Sequence, residues 1–304
     1  LGANESTGLV DSAVLGRLSR LTLNARQPMA GSVAGLHRSA TRGSSIEFAE
    51  YRKYVQGDDI RHVDWRVFAR TDRFYIKEFE ADTNLRCCLV LDVSGSMGFT
   101  GAHGSRLAYA KRMLATLAHL LVHQGDAAGL VCFSDGALHE IPPRDSPSHL
   151  RVLFDTIAGV QPQGRTRIIK AIHDLSEKVR QRALVIVFSD FLTPLDDLLG
   201  CFEHMRFRKH DLAVFHLLDR QEFDFSFDRP IRFTDMEGTG HILADPAVIR
   251  ADYQRELDRY LATMEHGCRE FGVDYHRVFT DMDYEAAIAA FLLKRMKKQR
   301  MAGG

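Results

Sequence analysis

Asp92, Ser94 and Ser96 stand at alternate positions at the end of an apolar run, in Leu89-Val90-Leu91-Asp92-Val93-Ser94-Gly95-Ser96-Met97. The run has the look of a buried strand. The loop after it then offers one anionic and two neutral oxygens. Loops at the carboxyl ends of strands are where open α/β sheets bind ligands. Oxygen donors carrying little charge suit a hard divalent cation such as Mg2+, with Mn2+ or Ca2+ as alternatives. The chemistry these residues point to is therefore metal-dependent binding rather than covalent catalysis.

Two further segments place oxygens in equivalent positions. Thr166 follows Gln163-Gly164-Arg165 at an expected helix start, and Asp190 follows Val187-Phe188-Ser189 at the end of the strongest apolar run in the chain. In a parallel sheet all three loops lie on one edge. Asp92, Ser94, Ser96, Thr166 and Asp190 could thus meet around one cation.

The elements needed to position them alternate from Cys87 onward, which predicts a sheet covered by helices on both faces. Strands are expected at 87–93, 183–188, 212–218 and 273–279. Hairpins are expected at 127–141, around Asp135-Gly136, and at 231–243. Helices are expected from Ser105 to Gln124, with Ser105 as cap and Gly125 as stop. Others are expected at 148–158, 166–182 and 196–207, from Asp245-Pro246 to Phe271, and from Tyr284 to Lys298. A short amphipathic helix is expected between Asp11 and Asn24, followed by a Gly/Ser/Ala-rich linker to Arg42.

The set Asp92-x-Ser94-x-Ser96, with Thr166 from a second loop and Asp190 after a later strand, resembles a von Willebrand factor A-type domain carrying a metal-ion-dependent adhesion site. The resemblance spans roughly residues 85–300. It implies an α/β fold: a doubly wound, mostly parallel sheet flanked by helices, here with an N-terminal arm. It also implies that Ser94, Ser96 and Thr166 touch the metal, with Asp92 and Asp190 as supporting carboxylates. Neutral hydroxyls would leave much of the cation's charge uncompensated. An open position then attracts an acidic side chain from a partner protein, so metal and partner binding reinforce each other.

Upstream lies a block dense in charge and aromatics. It contains Tyr51-Arg52-Lys53-Tyr54, Gly57-Asp58-Asp59-Ile60-Arg61, Asp64-Trp65 and Ala69-Arg70. This block closely resembles the bacterial domain-of-unknown-function family fifty-eight. Many members of that family carry two membrane helices, and this chain is similar to the soluble branch. Members are commonly encoded beside MoxR-type AAA+ ATPases, which implies such an ATPase as a partner. The expected organisation is an N-terminal helix and linker (1–42), a charged and aromatic segment packed on the main domain (43–86), and the main domain (87–304). Within the segment, Gly57-Asp58-Asp59 is expected to turn toward Arg61, Arg66 or Arg70, and Trp65 to pack against the main sheet.

The bulk composition narrows the function classes. The 304 residues are 45% hydrophobic and 26% charged, with 40 basic and 40 acidic side chains, so nothing favours nucleic acid or an anionic membrane. No stretch approaches the ~20 apolar residues of a membrane span. The five cysteines form no C-x-x-C pair and mostly lie in apolar runs, which suits a reducing cytoplasm. No P-loop or H-E-x-x-H motif occurs. Gly95-Ser96-Met97-Gly98 lacks the serine position of a hydrolase elbow. The expectation is a non-enzymatic interaction module.

Two alternatives remain. One is a metal-dependent, phosphatase-like hydrolase, for which Asp92 could be the nucleophile but Ser94 stands where a general acid is wanted. The other is a scaffold with a vestigial site. Three smaller features have ordinary readings. His119 and His123, at i and i+4, lack a third ligand. Lys294-Arg295 and Lys297-Lys298 suit a helix C-terminus. Phe223, Phe225 and Phe227 alternate as on a strand.

Overall fold

The computed structural model describes residues 8–23, 46–55, 63–81, 85–179 and 181–302. The chain divides into two compact units. One joins Leu1–Gln27 to Leu85–Gly304, and the other is Pro28–Asn84.

In the larger unit, α1 (Ser12–Leu18) is capped by Asp11, whose carboxylate accepts from Ala13 N–H at 2.8 Å. It belongs with the main domain: Gln124 accepts from Leu23 N–H at 3.1 Å and donates to Leu21 O at 2.8 Å. The smaller unit is a hairpin of β1 (Ile46–Lys53) and β2 (Tyr75–Ala81) around α2 (Trp65–Thr71). Asp64 caps α2 by accepting from Arg66 and Val67 N–H, which gives the Asp-Trp pair a local structural role. Trp65 meets Phe68 and Phe74 edge-on within its own unit. The Gly57-Asp58-Asp59 turn and Arg61 lie outside the described residues.

The rest of the larger unit alternates as expected. In chain order it runs β3 (Arg86–Asp92), a two-residue hairpin of β4 (Thr100–Gly101) and β5 (Gly104–Ser105), α3 (Arg106–His123), β6 (Ala127–Phe133), β7 (Ala137–Arg144), α4 (Pro147–Gly159), α5 (Ile168–Lys178), β8 (Leu184–Ser189), α6 (Leu195–Phe207), β9 (Asp211–Leu218), α7 (Arg220–Asp224), β10 (Ile231–Thr234), β11 (His241–Ala244), α8 (Pro246–Glu270), β12 (Asp274–Phe279) and α9 (Tyr284–Ala302). Six strands form one sheet in the order β12-β9-β8-β3-β6-β7. All neighbours are parallel except β7, which returns antiparallel on β6. The fold is the mostly parallel, helix-flanked α/β sheet expected.

Why these residues form it is visible strand by strand. β6 and β8 are buried along their whole length, as strands with helices on both faces must be. Alternate residues serve opposite layers. Cys88, Val90, Val185, Val187 and Val214 pack into a core with Ile172 of α5, Phe202 of α6 and Met264 of α8. Phe215 faces the other way and meets Phe291 of α9 edge-on, 5.2 Å between ring centres. Burying each such side chain contributes about 1.5–3 kcal/mol. Ser105 caps α3 through Ala108 N–H, and Gly125, at φ 84°, turns the chain out of it.

Three expectations fail for local reasons. The 166–182 segment is helical only over Ile168–Lys178, because Thr166 is engaged elsewhere and Val179 leaves helical geometry. Phe223–Phe227 is no strand: Asp219 accepts from Gln221 N–H and starts α7 instead. Phe225 then takes φ 47° and is buried against Phe227, Phe233 and Tyr253. Arg295 is no exposed partner of a helix end. It is buried, bonding Asp211 at 2.8 Å and Asp274 at 3.0 Å, and so ties α9 to the starts of β9 and β12.

Candidate functional site at the carboxyl edge of the sheet

Adjacent parallel strands β3 and β8 end side by side, which puts Asp92 and the Ser189-Asp190 pair on one edge. Both carboxylates are buried, at 0% and 1% exposure. Asp92 accepts from Ser94 N–H at 2.9 Å and from Ser189 Oγ–H at 2.7 Å. The first bond folds the loop back on itself and brings the Ser94 and Ser96 hydroxyls to 3.1 Å from each other. Arg106 continues the chain to Asp190, donating to Ser96 O and to Asp190 Oδ2. Four of the five expected residues thus form one continuous polar chain.

Thr166 reaches the same edge by a different route. Its loop is sewn to the Asp92 loop by two backbone bonds: Gly95 N–H to Gly164 O at 3.0 Å, and Gln163 N–H to Val93 O at 2.8 Å. Gly164 adopts φ 70°, a conformation that favours glycine, and a Cβ there would crowd Asp135. The Thr166 side chain bonds none of the other four. Its hydroxyl donates to Glu237 Oε1 at 2.8 Å and its N–H to Glu237 Oε2 at 3.0 Å.

The electrostatics follow from burial. Desolvation first, and the neighbouring Asp190 charge second, push the Asp92 carboxyl up to about 7. Burial likewise raises Asp190, opposed chiefly by the Arg106 charge. Arg106 is itself buried, at 3% exposure. It donates to Asp190 Oδ2 at 2.8 Å and to Ser96 O at 3.2 Å, and its second nitrogen pairs with Glu222.

Sequence reasoning missed Arg106, Ser189, Glu222 and Glu237. Ser189 had a signal, since it directly precedes Asp190 at a strand end. Arg106 had one too: an arginine in the first turn of a helix opposes the helix dipole unless an acid is at hand.

The donor set fits a hard cation. It comprises two carboxylates and three hydroxyls, all oxygen, with no sulfur or imidazole. Among the described residues no group of three or more His, Cys, Asp or Glu side chains is arranged to hold a metal, so any metal at this edge depends on the hydroxyls. His119 and His123 stack on each other at 3.7 Å, as ordinary packed histidines do. The cysteines are all free and four are buried. Burial pushes Cys132 and Cys268 up to about 12, which keeps them as unreactive thiols. Among the described residues no helix is long and apolar enough to cross a membrane.

Comparison with known proteins agrees with the upstream motifs. The family model described as "Protein of unknown function DUF58" matches residues 50–262. An uncharacterized protein of Mycobacterium tuberculosis is 27% identical over 292 residues, covering 94% of this chain and 91% of its own. Among solved structures, the conserved hypothetical protein BatB from Bacteroides thetaiotaomicron is 16% identical with a TM-score of 0.46, over 70% of this chain and all of its own. The SpRpn10 VWA domain is 11% identical with a TM-score of 0.41, over 68% of this chain and 94% of its own.

Proposed function

We propose, for a chain that belongs to the DUF58 family, that the larger unit is a non-enzymatic, von Willebrand factor A-like interaction module. Its Asp92, Ser94, Ser96, Thr166 and Asp190 edge holds a divalent cation, Mg2+ or a close substitute, and takes an acidic side chain from a partner protein. The observation that carries the reading is the pair of buried carboxylates, Asp92 and Asp190, set beside the two serine hydroxyls. Two desolvated like charges are costly unless compensated. Oxygen donors in that number and of that kind are what a hard cation requires.

The protein's own residues divide the work. Ser189 and the Ser94 N–H fix both oxygens of Asp92. Asp92 in turn sets the loop that presents the two hydroxyls. Arg106 holds Asp190 from the side and shields it from Glu222. A bound cation supplies the positive charge that a partner's carboxylate seeks. A MoxR-type AAA+ ATPase is the candidate partner, in assembly or remodelling of protein complexes. That assignment is supported by the family resemblance of the upstream block. The buried free thiols suit a cytoplasmic setting.

The test is titration calorimetry with Mg2+ and Mn2+ on the wild type, Asp92→Ala and Asp92→Asn. It is paired with capture of a candidate ATPase with and without chelator. Asp92→Asn keeps an acceptor for the Ser94 N–H, so folding is preserved while the charge is lost. Metal heat and chelator-sensitive capture in the wild type, absent from both variants, is the expected result. Equal capture by all three sinks the reading. Phosphate-ester turnover that vanishes in Asp92→Asn replaces it with the hydrolase.

A further inference from the structure

We propose that the carboxylate seat of this site is filled from within the chain: Glu237, at the tip of the β10–β11 hairpin, is an internal ligand that an external acidic side chain must displace. This rests on the interaction-module reading and specifies its recognition chemistry. The donors that read a carboxylate are the Thr166 N–H and Oγ–H, which bond one oxygen of Glu237 each, at 3.0 and 2.8 Å. Two parallel donors on one carboxylate are strong and geometrically selective, because the acceptor is charged.

The hairpin tip is built to deliver Glu237 there. Asp235 N–H bonds Gly240 O at 2.9 Å and closes the loop. The Asp235 carboxylate accepts from Glu237 N–H at 2.8 Å and sets the turn. Arg165 Nε–H holds the Glu237 carbonyl at 3.1 Å, so backbone and side chain are fixed from the same loop. Across the site, the Met236 carbonyl lies against Gly95, which stands between the two serines of the Asp92–Ser96 motif. A Cβ at Gly95 would overlap that carbonyl oxygen. The tip therefore rests on two of the three loops of the site at once.

The choice of side chain is informative. Glu237 brings a third carboxylate to an edge that already holds the buried Asp92 and Asp190. A turn selected only for shape is better served by glutamine, which has the same size and adds no charge. A carboxylate tolerated beside another carboxylate is what a stand-in for an acidic ligand requires. The hairpin is rooted by the Phe225, Phe227, Phe233 and Tyr253 cluster. Its tip is held by the polar bonds above, so the tip can lift while the root stays packed.

The experiment uses the full chain as wild type, Glu237→Ala and Glu237→Gln. Amide hydrogen exchange at Thr166 is read by NMR, and a synthetic peptide of residues 232–241 serves as the acidic probe. Thr166 is expected to exchange about tenfold faster or more in Glu237→Ala. Glu237→Gln moves in the same direction by less, and it carries the test if the alanine variant disturbs the hairpin. The peptide shifts the Thr166 resonance in Glu237→Ala and not in the wild type. The same peptide with glutamine in place of its glutamate shifts neither. Unchanged Thr166 protection in both variants, or equal peptide binding to variant and wild type, overturns the proposal. A parallel Mg2+ titration separates the two readings. Metal binding with unchanged Thr166 protection refutes the internal ligand alone. Absent metal binding with Thr166 released refutes the metal reading and keeps the internal ligand.

Discussion

Arg106→Met is the perturbation that tests the electrostatics of the site most directly. The methionine keeps most of the apolar stem, while the guanidinium seated over Phe99, 5.1 Å from the ring centre, is lost with the charge. What is lost is one buried positive charge, with its bonds to Asp190 and Ser96 O and its pairing with Glu222. Asp190 is then left buried and uncompensated beside Asp92. Breaking a buried pair from one side costs about 3–5 kcal/mol. With chelator present, the urea midpoint should fall by that amount times the reciprocal of the slope. The signal must be far-ultraviolet circular dichroism, because the single tryptophan, Trp65, reports on the smaller unit. Mg2+ should then recover part of the loss. At a hundredfold excess over its dissociation constant a ligand of the folded state adds about 2.7 kcal/mol. The gain should be larger in the variant than in the wild type, since Arg106 no longer competes for Asp190. A loss below ~1 kcal/mol in chelator contradicts the buried-charge argument. A Mg2+ gain no larger than that of the wild type contradicts placing the cation beside Asp190.

Two further outcomes probe the scaffold away from the site. His210, at the amino end of β9, is buried, and its Nδ1 accepts from Ala183 N–H at 3.3 Å. Burial first, with the nearby Arg208 and Arg182 charges, holds its pKa below the ordinary histidine value. The unfolded chain therefore binds this proton more readily than the folded one. The contribution is fully present above about pH 6.5 and is lost as pH falls toward the folded value. Urea midpoints from pH 8 to 5 should fall more gently for His210→Gln than for the wild type, and parallel profiles would refute this. Arg295→Ala should cost about 3–5 kcal/mol by stranding Asp211 and Asp274. Lys294→Ala should stay within ~1 kcal/mol, because Lys294 is 47% exposed and 4.0 Å from Asp274. Equal losses in the two variants would place the stabilisation in helix packing instead.

The sheet and the polar edge at its carboxyl end were legible because their causes are local. A strand buried on both faces must be apolar throughout, so β3 and β8 stand out as runs, and the polar residues that end them mark the edge. Ser94 and Ser96 follow Asp92 in one contiguous loop, and the Asp92 to Ser94 N–H bond spans two residues. Thr166 was legible as a residue of this edge but misread as the first residue of its helix. Its hydroxyl and N–H are both committed to Glu237, so the helix starts at Ile168. Among the alternating phenylalanines Phe225 is core, as read, but at a helix end rather than at strand spacing, for a related reason. Asp219 is buried and accepts from Gln221 N–H and Thr280 Oγ–H, and the cap outweighs the period-two pattern.

Glu237 had no local signal and Arg106 only its place in the first turn of a helix, because the contacts that define them are long-range: 71 residues separate Glu237 from Thr166 and 84 separate Arg106 from Asp190. The balanced composition hid them as well. Forty acidic and forty basic side chains cancel over the chain, yet not at this edge. Asp92, Asp190, Glu222 and Glu237 gather there, while Arg106 is the cation that pairs with Asp190 and Glu222. Arg165 donates its Nε–H to the Glu237 carbonyl. A local excess of negative charge among desolvated groups raises the free energy of the folded state. It persists where something outside the fold compensates it. The proposed divalent cation would do so directly, and the proposed exchange of Glu237 for a partner's carboxylate would leave the number of carboxylates on Thr166 unchanged. Partner exchange at this edge should therefore depend on the contacts surrounding the incoming carboxylate more than on its charge.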